Sequence, residues 1–168
     1  MYSETIRTIS KKRSRTIENL ERLGVKVDTT EQDHPKRIFI PGEVPSSKNS
    51  RQIIIKGGKY RSIASDFCQK YIKSTRILYS MAEPVFSRMI PYTPPLCIGF
   101  QFVRKTNRIF DYTNIAQIVQ DMMTQSNWIK DDRMSELLPV FFPYTKDKEN
   151  PGVWISIEDN GIFQDHEF

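Results

Sequence analysis

At 168 residues, with 38% hydrophobic and 27% charged side chains, the chain suits one globular domain with short extensions. No apolar run is long enough to cross a bilayer, and MYSETIRTISKKRSR has no apolar segment after its charges, so a secretory signal is not expected. Cys68 and Cys97 stand alone, which excludes a disulfide framework or a cysteine zinc site and predicts reduced, packed thiols in a cytoplasmic protein. His34 and His166 are too few for a histidine-rich metal site. The net charge of +5 is unevenly spread. Residues 46–88 carry nine Lys and Arg against Asp66 and Glu83, a net +7, whereas 89–168 carry seven basic and eleven acidic side chains, a net −4. A phosphate-tracking surface beside a carboxylate metal site has that distribution; so does an ordinary solvated surface.

In chain order, Ile6, Ile9, Ile17, Leu20 and Leu23 give a loose helical period over 3–23, stopped by Gly24. The basic run 11-KKRSR-15 lies on that helix. DTTEQDHP (28–35) reads as a polar linker. This divides the chain into an N-terminal helix and linker (1–35), a core (36–160) and a tail (161–168). RIFIPGEVP (37–45) begins as a strand, and PSSKNSR (45–51) is a loop rich in donors. RQIIIKGGKYRSI (51–63) is a hairpin about a Gly-Gly turn. Ser65 or Asp66 caps a helix over 66–81 whose apolar positions are Phe67, Tyr71, Ile72, Thr75 and Leu78, leaving Lys70, Lys73 and Arg76 outside. LCIGFQFVRK (96–105) is a strand of alternating character, 114–125 a helix, WIKDD (128–132) a turn, 137–152 a proline-interrupted stretch and VWISIED (153–159) a closing strand. The order predicts an α+β fold, a small mixed sheet with helices on one side.

The stretch 109-IFDYTNIAQIVQDMMTQSNWIKDDRM-134 gathers acids in a basic chain. On a helical wheel Ile115, Val119, Met122 and Met123 form one face, and Asn114, Gln117 and Asp121 the other. Asp111 precedes the helix; Asp131 and Asp132 follow it. Hard divalent ions take oxygen ligands, and Mg²⁺ commonly uses one or two protein carboxylates plus water and substrate phosphate. Asp111 with an acid of the 131–132 turn would supply them. Equally, Asp111 suits a helix cap, Asp121 a solvated charge and Asp131–Asp132 a turn. Trp128 and Tyr112 flank the acids: core packing is the expected use of Trp128, and wedging into a DNA branch the alternative for either.

These motifs together resemble the RusA-type Holliday junction resolvases, crossover-junction endodeoxyribonucleases common in phages and prophages. That family's pattern is Asp-x-Asp-Asn leading into a helix, an Asp further along it, and an aromatic-containing Asp-Asp turn. Here it reads Asp111-Tyr112-Thr113-Asn114, then Asp121, then Trp128-Ile129-Lys130-Asp131-Asp132. The loop in 41-PGEVPSSKNSR-51 is similar to the family's Pro-Ser-x-Asn loop. The resemblance spans roughly 37–158, leaving the N-terminal helix as an addition. It implies a RusA-like fold and a homodimer that cuts four-way DNA junctions symmetrically with Mg²⁺ or Mn²⁺. By match, Asp111, Asp121 and Asp132 are the catalytic acids with Asn114 beside them, and Asp111, Asp132 and the neighbouring Asp131 the metal ligands. Lys48, Asn49, Arg51, Lys56, Lys59 and Arg61 would contact the DNA backbone. Two positions depart: the family's second acid falls on Thr113, and a basic residue of the helix falls on Gln117. Lys130 and Arg108 are the candidates to replace that cation.

The expected activity is metal-assisted phosphodiester hydrolysis. The leading alternative is a catalytically weak or inactive branched-DNA-binding protein, marked by Thr113 and Gln117. Further alternatives are a nuclease of flaps, forks or RNA, and a protein-interaction module using the N-terminal helix and 137-LLPVFFPY-144.

Overall fold

The computed structural model describes residues 15–32, 34–46, 51–90 and 93–159, and the backbone alone at 51–54, 56 and 61–64. Helix α1 covers 15–22, the described part of the expected N-terminal helix. Gly24, at φ +83°, ends it in the left-handed conformation that glycine adopts without strain. Leu20 and Val25 on either side are fully buried. The chain then forms β1 (Lys26–Thr29), turns so that the Thr30 N–H donates to the His34 carbonyl at 2.8 Å, and returns as β2 (Pro35–Pro41). β1 and β2 pair antiparallel. The linker expected over 28–35 is therefore a hairpin. Its polarity belongs to an edge strand, where Asp28 pairs with Arg37 at 2.5 Å, and not to a tether.

β3 (Arg51–Lys56) and β4 (Lys59–Ala64) form a separate two-stranded ribbon. Gly57 and Gly58 both have positive φ, +60° and +72°, as a two-residue hairpin turn requires. Helix α2 (Asp66–Phe86) starts where the Ser65 hydroxyl accepts the Cys68 N–H at 3.3 Å. It runs five residues beyond the expected end and buries Cys68, Tyr71, Thr75, Leu78, Tyr79, Ala82, Val85 and Phe86. Phe67, expected on that face, lies off the 68-71-75-78 stripe and is 52% exposed. Lys70, Lys73 and Arg76 are exposed as expected.

The remaining elements are β5 (Leu96–Arg104), α3 (Tyr112–Gln125), β6 (Leu137–Phe141), β7 (Thr145–Lys146) and β8 (Gly152–Ile157). The larger sheet has the order β1-β2-β8-β5-β6, with β7 also paired to β5. It is mixed, because β5 runs parallel to β6 and β7 while its pairing with β8 is antiparallel. Ile38, Ile40, Ile98, Phe100, Phe102, Val153 and Ile155 form one core with the buried faces of α2 and α3. The fold is α+β, as the element order predicts. β5 does not alternate as expected: it is buried almost end to end. It is an inner strand, and a Cβ at Gly99, on its other face, would meet Phe142 Cε2 at 2.6 Å. Cys68 and Cys97 are buried free thiols. Among the described residues, no helix is long and apolar enough to cross a membrane.

Candidate metal and nucleic-acid site

Asp111 caps α3. Its Oδ1 accepts the Thr113 N–H at 3.0 Å and the Thr113 hydroxyl at 2.7 Å, and its Oδ2 accepts Asn114 Nδ2 at 3.0 Å. The first of these bonds satisfies one backbone donor that the first helical turn leaves open. Tyr112 fixes the helix end against the sheet: its ring packs near Phe102, Phe110 and Phe141, and its hydroxyl accepts the Tyr144 N–H at 3.0 Å. Thr113 thus donates to Asp111 through both its N–H and its hydroxyl.

Further along α3, Ile115, Val119, Met122 and Met123 are buried, and Gln117 and Asp121 face out, as the wheel predicts. The turn after the helix passes through Asn127 at φ +61°. It is anchored by Trp128, 3% exposed, which stacks on Phe86 with ring centroids 4.5 Å apart and donates Nε1–H to the Tyr79 carbonyl at 2.8 Å. Trp128 therefore packs in the core, as expected, and Tyr112 is half-buried among aromatic rings. The anchored turn brings Asp132 within electrostatic reach of Asp121. Although Asp121 is exposed at the surface, partial desolvation of its carboxyl, and then the Asp132 charge, push it above the usual carboxylate range. Asp131 accepts from Arg133 Nε at 2.8 Å and lies 2.7 Å from Arg133 Nη2, and the bond to Arg133, with a smaller contribution from Asp132, holds its pKa down.

Asp121 thus feels the Asp132 charge, Asp131 is paired with Arg133, and Asp111 is engaged by its own helix. Among the described residues no group of three or more His, Cys, Asp and Glu side chains is placed to hold a metal ion. Asp121 and Asp132 both offer carboxylate oxygens, the donor type that hard divalent ions take.

Asp111 also borders a cleft of about 440 Å³. Its other walls are the proline loop (Glu43, Val44, Pro45, Ser46), the end of β5 and following connector (Arg104–Thr106, Arg108–Phe110), Phe67 and Ile115. Arg104 holds loop and connector together: it pairs with Glu43 at 2.9 Å, donates to the Val44 carbonyl at 2.6 Å and lies over the Phe110 ring. The Lys105 N–H donates to the same glutamate at 2.9 Å. The sequence gives no sign of this clamp, since its partners lie 60 and more residues apart. Of the two candidate replacement cations, Arg108 lines the cleft with Asp111; Lys130 is exposed in the turn after α3.

Lys48 and Asn49 lie outside the described residues. Arg51, Lys56 and Arg61 fall on the β3–β4 ribbon, where the backbone alone is described, and Lys59, beside the Gly-Gly turn, is exposed. Comparison with protein-family models and with curated proteins finds no match.

Proposed function

We propose that the chain is a metal-dependent endonuclease that resolves four-way DNA junctions, acting as a homodimer with a RusA-like core. The observation that carries this reading is the cleft in which Asp111 shares walls with Ser46 of the proline loop and with Lys105 and Arg108. Cations beside a carboxylate-bearing helix terminus suit a phosphodiester: Lys105 and Arg108 take its non-bridging oxygens, and Ser46 adds a donor. Asp121 and Asp132 are the residues that would hold Mg²⁺ or Mn²⁺. When bound, the ion supplies Lewis-acid activation of water and offsets charge on the phosphate. Thr113 and Asn114 keep the Asp111 carboxylate in one orientation.

A second reading, a branched-DNA-binding protein without hydrolysis, draws on the state of Asp111. Three donors occupy its carboxylate, of roughly four acceptor sites available. Both readings predict that the protein, without divalent metal, binds a synthetic four-way junction more tightly than a linear duplex of the same sequence. Equal affinity for the two in fluorescence anisotropy would contradict both.

A further inference from the structure

The cleft beside Asp111 has a wall that phosphate binding does not use. Phe67, in the first turn of α2, is 52% exposed, and Ile109, two residues before Asp111, is 97% exposed. Both line the cleft together with Lys105 and Arg108. Neither belongs to the core, whose α2 stripe begins at Cys68. Large apolar groups left in water beside cations complement an amphipathic ligand with an apolar face and an anionic end. An unstacked nucleotide has that form, with a flat base joined to a phosphate. The 440 Å³ volume falls within the range of about 300–1,000 Å³ typical of small-ligand clefts, suiting one nucleotide rather than a helix.

We infer that this cleft takes a single unstacked nucleotide, its base against Phe67 and Ile109 and its phosphate toward Lys105 and Arg108. This rests on the nucleic-acid reading above and deepens it. The chain would select DNA branches because bases at a branch leave the stack at less cost than bases within a duplex. Phe67 and Ile109 are then specificity-determining residues, separate from the acids.

The test uses the full chain without divalent metal. Its probe is a four-way junction carrying 2-aminopurine at the crossover, beside a linear duplex carrying it at the same sequence position. Wild-type protein is expected to raise 2-aminopurine fluorescence in the junction and not in the duplex. Phe67→Ser with Ile109→Ser should abolish that rise and lower junction affinity by about tenfold, the scale of one lost base–aromatic stack. Phe67→Tyr alone should retain both. The substituted positions are solvent-exposed, so thermal unfolding should match wild type. If wild type binds the junction without a fluorescence rise, or the double variant binds it as tightly as wild type, the inference is overturned while the junction reading stands. If wild type shows no preference for the junction, both fall.

Discussion

Partial desolvation and the charge of Asp132 together make the exposed Asp121 a reluctant carboxylate. Its proton leaves at a higher pH in the folded chain than in the unfolded one. Stability is therefore greatest below the ordinary aspartate range, falls as pH rises through the folded value, and stays lower above it. Replacing Asp121 by Asn removes that loss. In metal-free buffer, Asp121→Asn is expected to raise the melting temperature at pH 7, with the gain shrinking as pH falls through the raised folded value and gone below about 4, the ordinary aspartate value. Asp132→Asn should lower the Asp121 pKa, read from carboxyl carbon shifts by NMR. Millimolar Mg²⁺ should stabilise wild type and leave Asp132→Asn unmoved. A Mg²⁺-induced rise of equal size in both would place the ion elsewhere. Asp111 shows where residue-level reading of a sequence stops. Position and residue type suit a cap and a ligand equally; only the bonds to Thr113 and Asn114 show the cap to be in use.

Elements position these side chains, and their legibility varied with how local their causes are. The Gly57–Gly58 turn, the Ser65 cap and the apolar face of α3 follow from neighbours within a few residues, and each appears where the sequence places it. β1 did not announce itself. KVDT is short, with Val27 its single apolar residue, and it becomes a strand through pairing with β2. The alternation expected of β5 failed for a related reason, since strand order, invisible locally, makes it an inner strand covered on both faces. The Arg104–Glu43 clamp depends on two elements far apart in the chain. Close strand packing also predicts a stability effect. A methyl at Gly152 on β8 would stand 2.5 Å from the Ile40 carbonyl oxygen and 2.6 Å from Phe39 Cε2. Gly152→Ala should therefore destabilise by about 1–3 kcal/mol in urea titration, because β2 must shift to admit it. An unchanged midpoint would show that the β2–β8 spacing is looser than described.

Across the whole molecule the charge divides as the proposed function needs, a net +7 over 46–88 and −4 over 89–168. The basic stretch includes the β3–β4 ribbon and α2; the acidic one includes α3 and the turn that carries Asp131 and Asp132. The cleft lies where the two stretches meet, with Ser46 and Phe67 from the first and Arg108 and Asp111 from the second. Binding driven by phosphate contacts weakens linearly in log–log salt plots, with a slope of about −0.9 for each phosphate neutralised on duplex DNA. Junction affinity should follow a slope well steeper than −1, and Arg108→Ala should make it shallower by about 0.9. A salt-independent affinity would remove the phosphate-tracking role from this surface.

Hydrolysis at a DNA branch can be read from the strands themselves. A synthetic four-way junction and a linear duplex, end-labelled, would be incubated with wild type and with Asp132→Asn in Mg²⁺ and in Mn²⁺, and the nicks mapped. Paired, symmetric nicks are expected in the junction alone, dependent on metal and lost in Asp132→Asn while junction binding persists. Tight junction binding with no nick under either metal would contradict that hydrolysis and leave a DNA-binding protein whose acids serve only to cap and close α3.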